Sequence, residues 1–419
     1  MPSRVSRHHE RRTAARWCAR LFVTVSACTL LLAGAAQGQA GGLYLPENGG
    51  PANGTAQAGS AALARDAETA YLNPAGMTRL ASSTVMLSAM PLHMYINFDP
   101  TEETTVVGSD GGNQGGWVPA GGLFAAVPIG ERFAVGFSAT SPAGLVADPL
   151  DDWVGRSWMT RAQLIGLNFE PSVGVRLTNS FSLGAGFDIQ YLTFEQQFRG
   201  PFAPGTTFGI DGDSWDVGFS ASALWEAGGT TRIGARYRSQ VSHDLSGDLT
   251  FLENAAPVST SFTLPMSATF SAYHELSGKV SLMLDAGWTD WSAFDFNAVT
   301  LDSSGAQVEI PRNFKDTWNV SLGSHITLGQ GVLLMLGAGY VSSAVDDANR
   351  TPDMPVDQQI RGSTGIEYRI NQMWTIGADY TFLWLGNNRI DQRRPFAGRI
   401  VGEYDAYANI FGVYGAVWF

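Results

Sequence analysis

The chain has 419 residues, of which 44% are hydrophobic and 15% are charged, and its formal net charge at pH 7 is −12. So acidic a balance excludes a protein that binds nucleic acid or an anionic membrane surface through a basic face. Length and composition alone fit two soluble domains, a secreted globular protein or a β-barrel equally well.

The amino terminus predicts a cleavable secretory signal peptide at residues 1–39. Six arginines precede an uncharged stretch at 21–36, which is shorter than the ~20 residues that a membrane-spanning helix needs. Removing this segment takes away six arginines and one glutamate, so the formal net charge falls from −12 to −17. Cys18 and Cys28 leave with it. We therefore expect no disulfide framework and no thiol metal site.

Residues 41–83 follow without strand-like alternation. The alanine-rich stretch from Thr55 to Tyr71 predicts a short helix capped by Thr55. This helix should end before Pro74, because a proline keeps the preceding residue, Asn73, out of helical geometry. Taken alone, the segment fits a plug inside a barrel or a periplasmic appendage.

Beyond residue 83, apolar and polar residues alternate. One face of the stretch at 181–191 carries Phe181, Leu183, Ala185, Phe187, Ile189 and Tyr191, and the other is made of small or polar residues. The same pattern recurs at 213–226 and 374–384, and such stretches are long enough to cross a bilayer as tilted strands. A soluble β-sandwich would also alternate, but its strands are shorter and its polar faces are less rich in Gly, Ser and Asp. The pattern favours a membrane β-barrel.

Fourteen strands are predicted, an even number that lets an antiparallel barrel close with both termini in the periplasm. They lie near 84–98, 117–128, 132–140, 162–177, 181–198, 213–227, 231–245, 262–276, 279–289, 314–327, 332–343, 359–370, 373–385 and 405–418. Short turns alternate with long polar loops, as in barrels with short periplasmic turns. The predicted long loops are 99–116, 141–161, 246–261, 290–313, 344–358 and 386–404. The chain ends at Phe419, and a carboxy-terminal phenylalanine resembles the signal that the barrel-assembly machinery reads.

Several short motifs run through the chain in a fixed order. They include Asp66-Ala67, Asn73-Pro74-Ala75-Gly76-Met77, Ser141-Pro142-Ala143-Gly144-Leu145, Trp288-Thr289-Asp290-Trp291 and Phe314-Lys315-Asp316-Thr317-Trp318. In this order they resemble the FadL family of outer-membrane transporters, and the resemblance covers essentially the whole chain after the signal peptide. It implies an all-β fold: a fourteen-stranded antiparallel transmembrane β-barrel at 84–419, with a small helical hatch at 40–83 inside its lumen.

The resemblance also implies a function. It predicts passive uptake of long-chain fatty acids or similar hydrophobic molecules across the outer membrane, with sideways release through the wall. An aromatic-hydrocarbon channel of the same family is the alternative. A fatty acid needs an apolar passage for its tail and one or two cations for its carboxylate. We expect a monomer surrounded by outer-membrane lipid, with no cofactor, no metal and no nucleic-acid partner.

Four residues match positions that bind ligand in the family. Lys315 matches the interior cation that meets the carboxylate, although a solvated or salt-bridged lysine is an equally good interpretation. The position of a second family cation falls on Phe198, with Arg199 beside it. Leu43 stands where the family has a phenylalanine in the ligand pocket.

The gating elements are matched in the same way. Asn73, Pro74 and Ala75 form the predicted hatch turn, in which Asn73 can offer both a donor and an acceptor to the wall. Pro142 and Gly144 interrupt the third strand, where the family has its lateral opening.

Three arginines, Arg232, Arg236 and Arg238, share the inward face of one predicted strand and would suit an anion path. Because Glu226 should lie opposite Arg232, we favour salt bridges along the wall instead.

Two rival functions fit the sequence less well. An outer-membrane phospholipase would need a serine and a histidine in contact, but Ser242-His243 and Ser324-His325 are sequence neighbours that a strand sends to opposite faces. We therefore predict that the protein is not an enzyme. A general aqueous porin needs no hatch, and residues 41–83 argue against it.

Overall fold

The structure is a computed structural model that describes residues 46–200, 205–251, 254–294, 296–394 and 397–419. The predicted signal peptide at 1–39 and Leu43 lie outside these residues. Within them, no helix is long and apolar enough to cross a membrane.

The wall is one closed antiparallel sheet in which each strand pairs with its chain neighbours and the last strand pairs with the first. Fourteen wall strands are described: β1 Thr84–Pro100, β2 Trp117–Ile129, β3 Phe133–Ala147, β4 Arg161–Arg176, β5 Phe181–Arg199, β6 Thr207–Glu226, β7 Thr231–Arg238 with Val241–Phe251, β8 Asn254–Leu264 with Ser267–Ser277, β9 Val280–Thr289 with Phe296–Leu301, β10 Ala306–Pro311 with Thr317–Gly329, β11 Val332–Val341, β12 Gln359–Arg369, β13 Trp374–Arg394 and β14 Gly398–Trp418. Each two-part strand keeps its place in the wall across a short interruption. The predicted count of fourteen is confirmed.

Three of the predicted long loops are instead strand hairpins that continue the wall outward. The predicted loop at 386–404, for example, is paired as β13 with β14, and Arg389 lies opposite Glu403. The segment at 246–261 is paired in the same way over most of its length, and the segment at 290–313 contains a hairpin of 296–301 with 306–311. Beyond the bilayer both faces of a strand meet polar surroundings, so the apolar–polar alternation that marks a membrane strand fades there.

The predicted alternation is confirmed within the bilayer-spanning part. On β5, Phe187 is 48% exposed on the outer face, whereas its neighbour Asp188 is fully buried in the lumen. Trp215 and Trp225 lie exposed on the outer face of β6. The apolar surface is therefore the outside of the barrel, and the polar face is the inside.

The prediction of one helix from Thr55 to Tyr71 is wrong. The segment has a 3-10 helix at Pro51–Thr55 and one turn of α-helix, α1, at Thr69–Leu72. Ala56 and Ala64 have φ values of 53° and 45°, which a right-handed helix excludes. The predicted end before Pro74 is confirmed, because Asn73 is extended, and a second 3-10 helix follows at Pro74–Arg79.

Residues 46–83, called the hatch below, lie in the lumen and are bonded to strands on several sides of the wall. The Gly59 N–H and the Ser60 hydroxyl donate to the Asp285 carboxylate of β9, at 2.7 and 2.5 Å. Arg232 of β7 donates to the carbonyl oxygens of Ala62 and Leu63, at 2.9 and 3.1 Å. The hatch backbone thus provides hydrogen-bond partners for polar side chains on the inner face of the wall.

Glycines in the wall let the hatch backbone lie directly against the sheet. A Cβ added to Gly184 of β5 would lie 2.3 Å from the Ala75 nitrogen, and one added to Gly337 of β11 would lie 2.1 Å from the Thr55 carbonyl carbon. Neither distance is sterically possible, so any larger residue at these positions has to push the hatch away.

The substitution Gly337→Ala should therefore loosen the hatch without unfolding the wall. The new methyl group displaces the hatch at Thr55, while the hydrogen bonds between wall strands stay in place. We expect faster proteolysis of the hatch in the refolded barrel, with unchanged heat-modifiable gel migration. Gly362→Ala on the neighbouring strand β12 is the matched control, because a Cβ there meets nothing within 4 Å. Equal protease resistance of all three proteins would contradict this account of the contact.

Candidate ligand passage and hatch

The lumen between the hatch and the long outer connections is filled by buried apolar side chains, called the apolar cluster below. Its large aromatic members are Phe98, Trp153, Trp158, Phe194, Phe262, Trp291, Phe294, Phe314 and Tyr404. They come from wall strands and from the connections that fold over them. A lining of this kind suits the tail of a hydrophobic ligand.

An ion pair and a second arginine lie at the edge of this cluster. Arg312, 1% exposed, donates from its two terminal nitrogens to the two Asp353 oxygens, at 3.2 and 2.9 Å. The guanidinium of Arg394 lies 5.2 Å from the centre of the Trp158 ring and donates to the Ser157 carbonyl oxygen at 2.6 Å. Positive charge is thus placed beside aromatic surface, where a cation–π contact holds it.

The charges in this group are unequally matched. Burial alone would raise the pKa of Asp353, but Arg312 beside it holds that pKa below its usual range, so Asp353 stays ionised and neutralises Arg312. Arg394 makes no ion pair within 4.0 Å with any residue that the structure describes. A guanidinium keeps its charge in a protein, so Arg394 can form an ion pair with a ligand carboxylate and donate hydrogen bonds to it.

Lys315 does not reach the lumen. Its side chain is 51% exposed, and its ammonium group pairs with the exposed carboxylate of Asp346. Arg312 and Phe314 beside it are buried, whereas Lys315 is exposed. Residues 312–316 lie between the two parts of β10 and are not strand, and Asn313 has a φ of 51°. The interior place expected for Lys315 is therefore corrected to the barrel's outer rim, and its role toward ligand stays a prediction.

The second predicted cation region also lies at the outer end of the wall. Arg199 donates to the Thr207 hydroxyl at 2.6 Å and pairs with the exposed Asp151 at 3.4 Å. Phe198 stacks on Phe208, with ring centres 5.4 Å apart. Leu43, the fourth predicted ligand residue, is outside the described residues.

The wall ladder breaks beside Pro142. β3 pairs with β2 only as far as Ala139, whereas β2 continues outward along β1, and all of these residues are described. Residues 138–144 are buried on both faces, so this part of β3 has moved inward. The expected end of β3 at 141–144 is corrected: Gly144 is still paired with β4, and only the pairing with β2 stops. Proline has no N–H to donate, and the register shift next to it is a β-bulge.

The predicted hatch turn is bonded to the wall. The Asn73 side-chain amide donates to the carbonyl oxygens of Ala61 and Ala223, the latter on β6 at 3.1 Å. Its oxygen accepts from the Ala75 N–H at 3.1 Å and so closes its own turn, while the same N–H lies 3.1 Å from the Ser222 hydroxyl of β6. The side-chain NH2 group of Asn73 thus binds the wall, and its side-chain oxygen stabilises the turn.

Of the three inward arginines of β7, one binds the hatch and two lie near the same wall carboxylate. Glu226 lies opposite Arg232, as predicted, but Arg232 donates to hatch carbonyl groups. Arg238 pairs with the fully buried Glu170 at 2.6 Å, and Arg236 lies 3.5 Å from the same carboxylate. The preference for wall salt bridges fits Arg238, whereas Arg236 lies farther from the same carboxylate.

The structure also makes a serine–histidine contact that the sequence did not reveal. The Ser214 hydroxyl lies 2.9 Å from Nδ1 of His243, a residue that is fully buried. Asp216 approaches the same nitrogen at 3.2 Å, and Gln190 lies 3.2 Å from Nε2. In a catalytic triad the serine and the acid lie at different ring nitrogens, so this arrangement is a polar network between strands and not a nucleophile–base pair.

Comparison with known proteins gives a consistent result. The family model described as "Outer membrane protein transport protein (OMPP1/FadL/TodX)" matches residues 31–419. The "Long-chain fatty acid transport protein" of Escherichia coli O6:H1 is 26% identical over 393 residues, covering 82% of this chain and 87% of that protein. Outer membrane protein P1 of Haemophilus influenzae is 22% identical over 446 residues, covering 92% of this chain and 96% of that protein.

Solved structures agree in fold. The crystal structure of a Pseudomonas aeruginosa FadL homologue superposes with a TM-score of 0.84 at 21% identity, over 90% of this chain and 99% of that one. The Ralstonia pickettii toluene transporter TbuX gives a TM-score of 0.63 at 14% identity, over 88% and 97%.

The hatch turn allows a direct test. Asn73→Ala combined with Pro74→Ala removes the hydrogen bond from the Asn73 side-chain amide to the Ala223 carbonyl oxygen, and it removes the proline ring that fixes the turn. The hydrogen bonds between wall strands stay intact. We expect a folded barrel whose uptake of hydrophobic cargo falls well below that of the wild type. Cargo uptake and protease protection of the hatch, measured on the same cells, check this. The hypothesis tested is that Asn73 and Pro74 latch the hatch to the wall, and normal uptake by the double variant would contradict it.

Proposed function

The chain belongs to the OMPP1/FadL/TodX family of outer membrane transport proteins, and on that basis we propose that it takes up long-chain fatty acids or similar hydrophobic molecules through its plugged barrel. Its place is the outer membrane. The observation that carries the proposal is Arg394, a cation held over Trp158 at the edge of a buried apolar cluster. A charge beside a long apolar lining is the complement of a fatty acid.

The proposed route is passive and follows the described residues inward. Lys315 and Arg199, at the outer rim, attract the anionic head group to the barrel. The tail then enters the apolar cluster while the carboxylate pairs with Arg394. From there the cargo reaches the hatch and leaves sideways at the break between β2 and β3, where wall residues are not joined by ladder hydrogen bonds.

Aromatic-hydrocarbon uptake is the second candidate, favoured by the fold shared with the toluene transporter TbuX. A hydrocarbon would use the apolar cluster in the same way but would gain nothing from Arg394. The response of uptake to a change at Arg394 therefore separates the two cargo classes.

The remaining proposals concern biogenesis and assembly. We propose that residues 1–39 are removed on export, that residues 40–83 act as one hatch unit, and that the barrel works as a monomer in outer-membrane lipid. The barrel-assembly machinery would read the last strand, in which Phe419 exchanges backbone hydrogen bonds with Ser83 at 2.9 and 3.1 Å and its side chain is exposed. We assign the protein a transport role and no catalytic step.

Arg394→Gln tests the head-group site. The variant should bind oleate about tenfold more weakly, because one charge-assisted hydrogen bond worth ~1.5 kcal/mol is lost, while oleyl alcohol, which has the same tail and no charge, should bind equally well. Lys315→Ala removes a cation from the rim and is the matched control; it should slow oleate capture and leave the equilibrium affinity nearly unchanged. Fluorescent displacement titrations on the detergent-solubilised barrel measure these affinities.

The opposite pattern would overturn the assignment. If Lys315→Ala, and not Arg394→Gln, abolishes the preference for oleate, the carboxylate is held at the rim. Equal losses for oleate and oleyl alcohol in Arg394→Gln would mean that Arg394 only supports the fold.

A further inference from the structure

A second charged region lies deeper in the lumen, where the hatch meets β7. A cavity of about 190 Å³ is bounded there by Tyr71 of the hatch, Pro142 of the wall break and Arg236 of β7. Trp291 of the apolar cluster also lines it. The cavity therefore connects three features: the apolar cluster, the hatch and the break between β2 and β3.

The arginines around this cavity differ in how fully they are engaged. Arg238 lies between two buried carboxylates, Glu170 at 2.6 Å and Asp188 at 3.4 Å. Arg361 is held by Glu47 of the hatch at 2.7 Å. Both are committed to structural ion pairs. The cavity's own acid, Asp285, is likewise occupied by donors from the hatch.

Arg236 is engaged much less fully. Its nearest carboxylate oxygen is on Glu170 at 3.5 Å, beyond a strong charge-assisted hydrogen bond, and that oxygen is already held by Arg238. The other Glu170 oxygen accepts from Ser220 at 2.6 Å. The Nε and Nη2 atoms of Arg236 are buried and have no hydrogen-bond partner among the described residues. A buried guanidinium with unused donors is costly unless something completes its bonding.

The guanidinium is also positioned by the hatch. It lies 4.5 Å from the centre of the Tyr71 ring, over which Arg238 also lies at 4.6 Å, and Tyr71 belongs to α1, the turn that leads directly to Asn73 and Pro74. An aromatic face fixes a guanidinium in one plane and leaves its edge, with the N–H groups, open to a planar carboxylate.

We propose that Arg236 is a second carboxylate-binding station, at which the head group of an acidic cargo pairs after it leaves Arg394 and before it passes the wall break at Pro142. This rests on the proposed function, and it assigns the cargo a specific class: amphiphiles with a single anionic head group. Because the station includes Tyr71, an arriving carboxylate shares the guanidinium with the hatch itself. Carboxylate binding at the station therefore changes the contact between Arg236 and Tyr71, next to the turn that holds the hatch to β6.

The test compares two cargoes that differ only in charge. In cells that lack their own long-chain fatty acid uptake, Arg236→Gln should lower oleate uptake roughly tenfold and leave oleyl alcohol uptake at the wild-type rate. Oleate affinity at the outer site, measured by displacement on the purified barrel, should persist, because Arg394 is untouched. Arg232→Gln is the control on the same face of the same strand; it faces hatch carbonyl groups and should change both uptakes equally.

Arg236→Gln leaves the buried Glu170 and Asp188 with one arginine, so the single variant could fail to fold. The pair Arg236→Gln with Glu170→Gln keeps the charge of this group balanced, and the same split between oleate and oleyl alcohol is expected. Equal losses for the two cargoes, or unchanged oleate uptake in a folded variant, would overturn the station. A wild-type barrel that transports neither cargo above an empty-vector control would instead overturn the proposed function.

Discussion

The structure depends first on the rule that backbone N–H and C=O groups inside a bilayer must be bonded within the protein. A closed sheet meets this rule because the pairing of β14 with β1 leaves no edge strand. Closure also fixes the faces, since outward residues meet lipid and inward residues share a confined lumen. Between β2 and β3 the ladder stops at Ala139, and the backbone beyond it is buried by an inward shift of β3 around Pro142.

A polar lumen creates a second requirement, which the hatch satisfies. Inward carboxylates and arginines would be left unbonded in a dry interior, and the hatch offers them backbone partners: Asp285 receives an N–H and a hydroxyl, and Arg232 donates to two carbonyl groups. Wall glycines such as Gly184 make the approach close enough for these bonds. Plug and wall are therefore parts of one hydrogen-bonded unit, and a hatch that opens must exchange these bonds for others.

The sequence predicted what depends on local pattern. The number of strands, the faces of β5 and the extended Asn73 follow from alternation and from proline sterics, which act over a few residues. The hatch conformation did not follow, because left-handed residues such as Ala56 are stabilised by contacts with strands far away in sequence. The outer hairpins were missed because alternation ends where the bilayer ends.

The candidate site was predictable only in part, for a related reason. A motif match located the Lys315 region, but residues 312–316 interrupt β10 and Asn313 has a left-handed φ of 51°, so strand alternation does not predict which of these side chains points inward. The contacts of Arg394 with Trp158 and of Arg236 with Tyr71 join residues more than 150 positions apart, so no local pattern contains them.

These two arginines share a physical design that explains why cations can be kept in an apolar passage. An arginine locked in an ion pair, as Arg238 is with Glu170, cannot respond to a passing anion, whereas an unsupported one would be too costly to bury. An aromatic face offers an intermediate solution: it compensates part of the desolvation of the guanidinium without using its donors. Arg394 and Arg236 each lie over such a face. Arg238 lies 4.6 Å from the same Tyr71 ring but is held by Glu170 at 2.6 Å, so in the proposed route the carboxylate pairs with the two arginines that lack so short an ion pair.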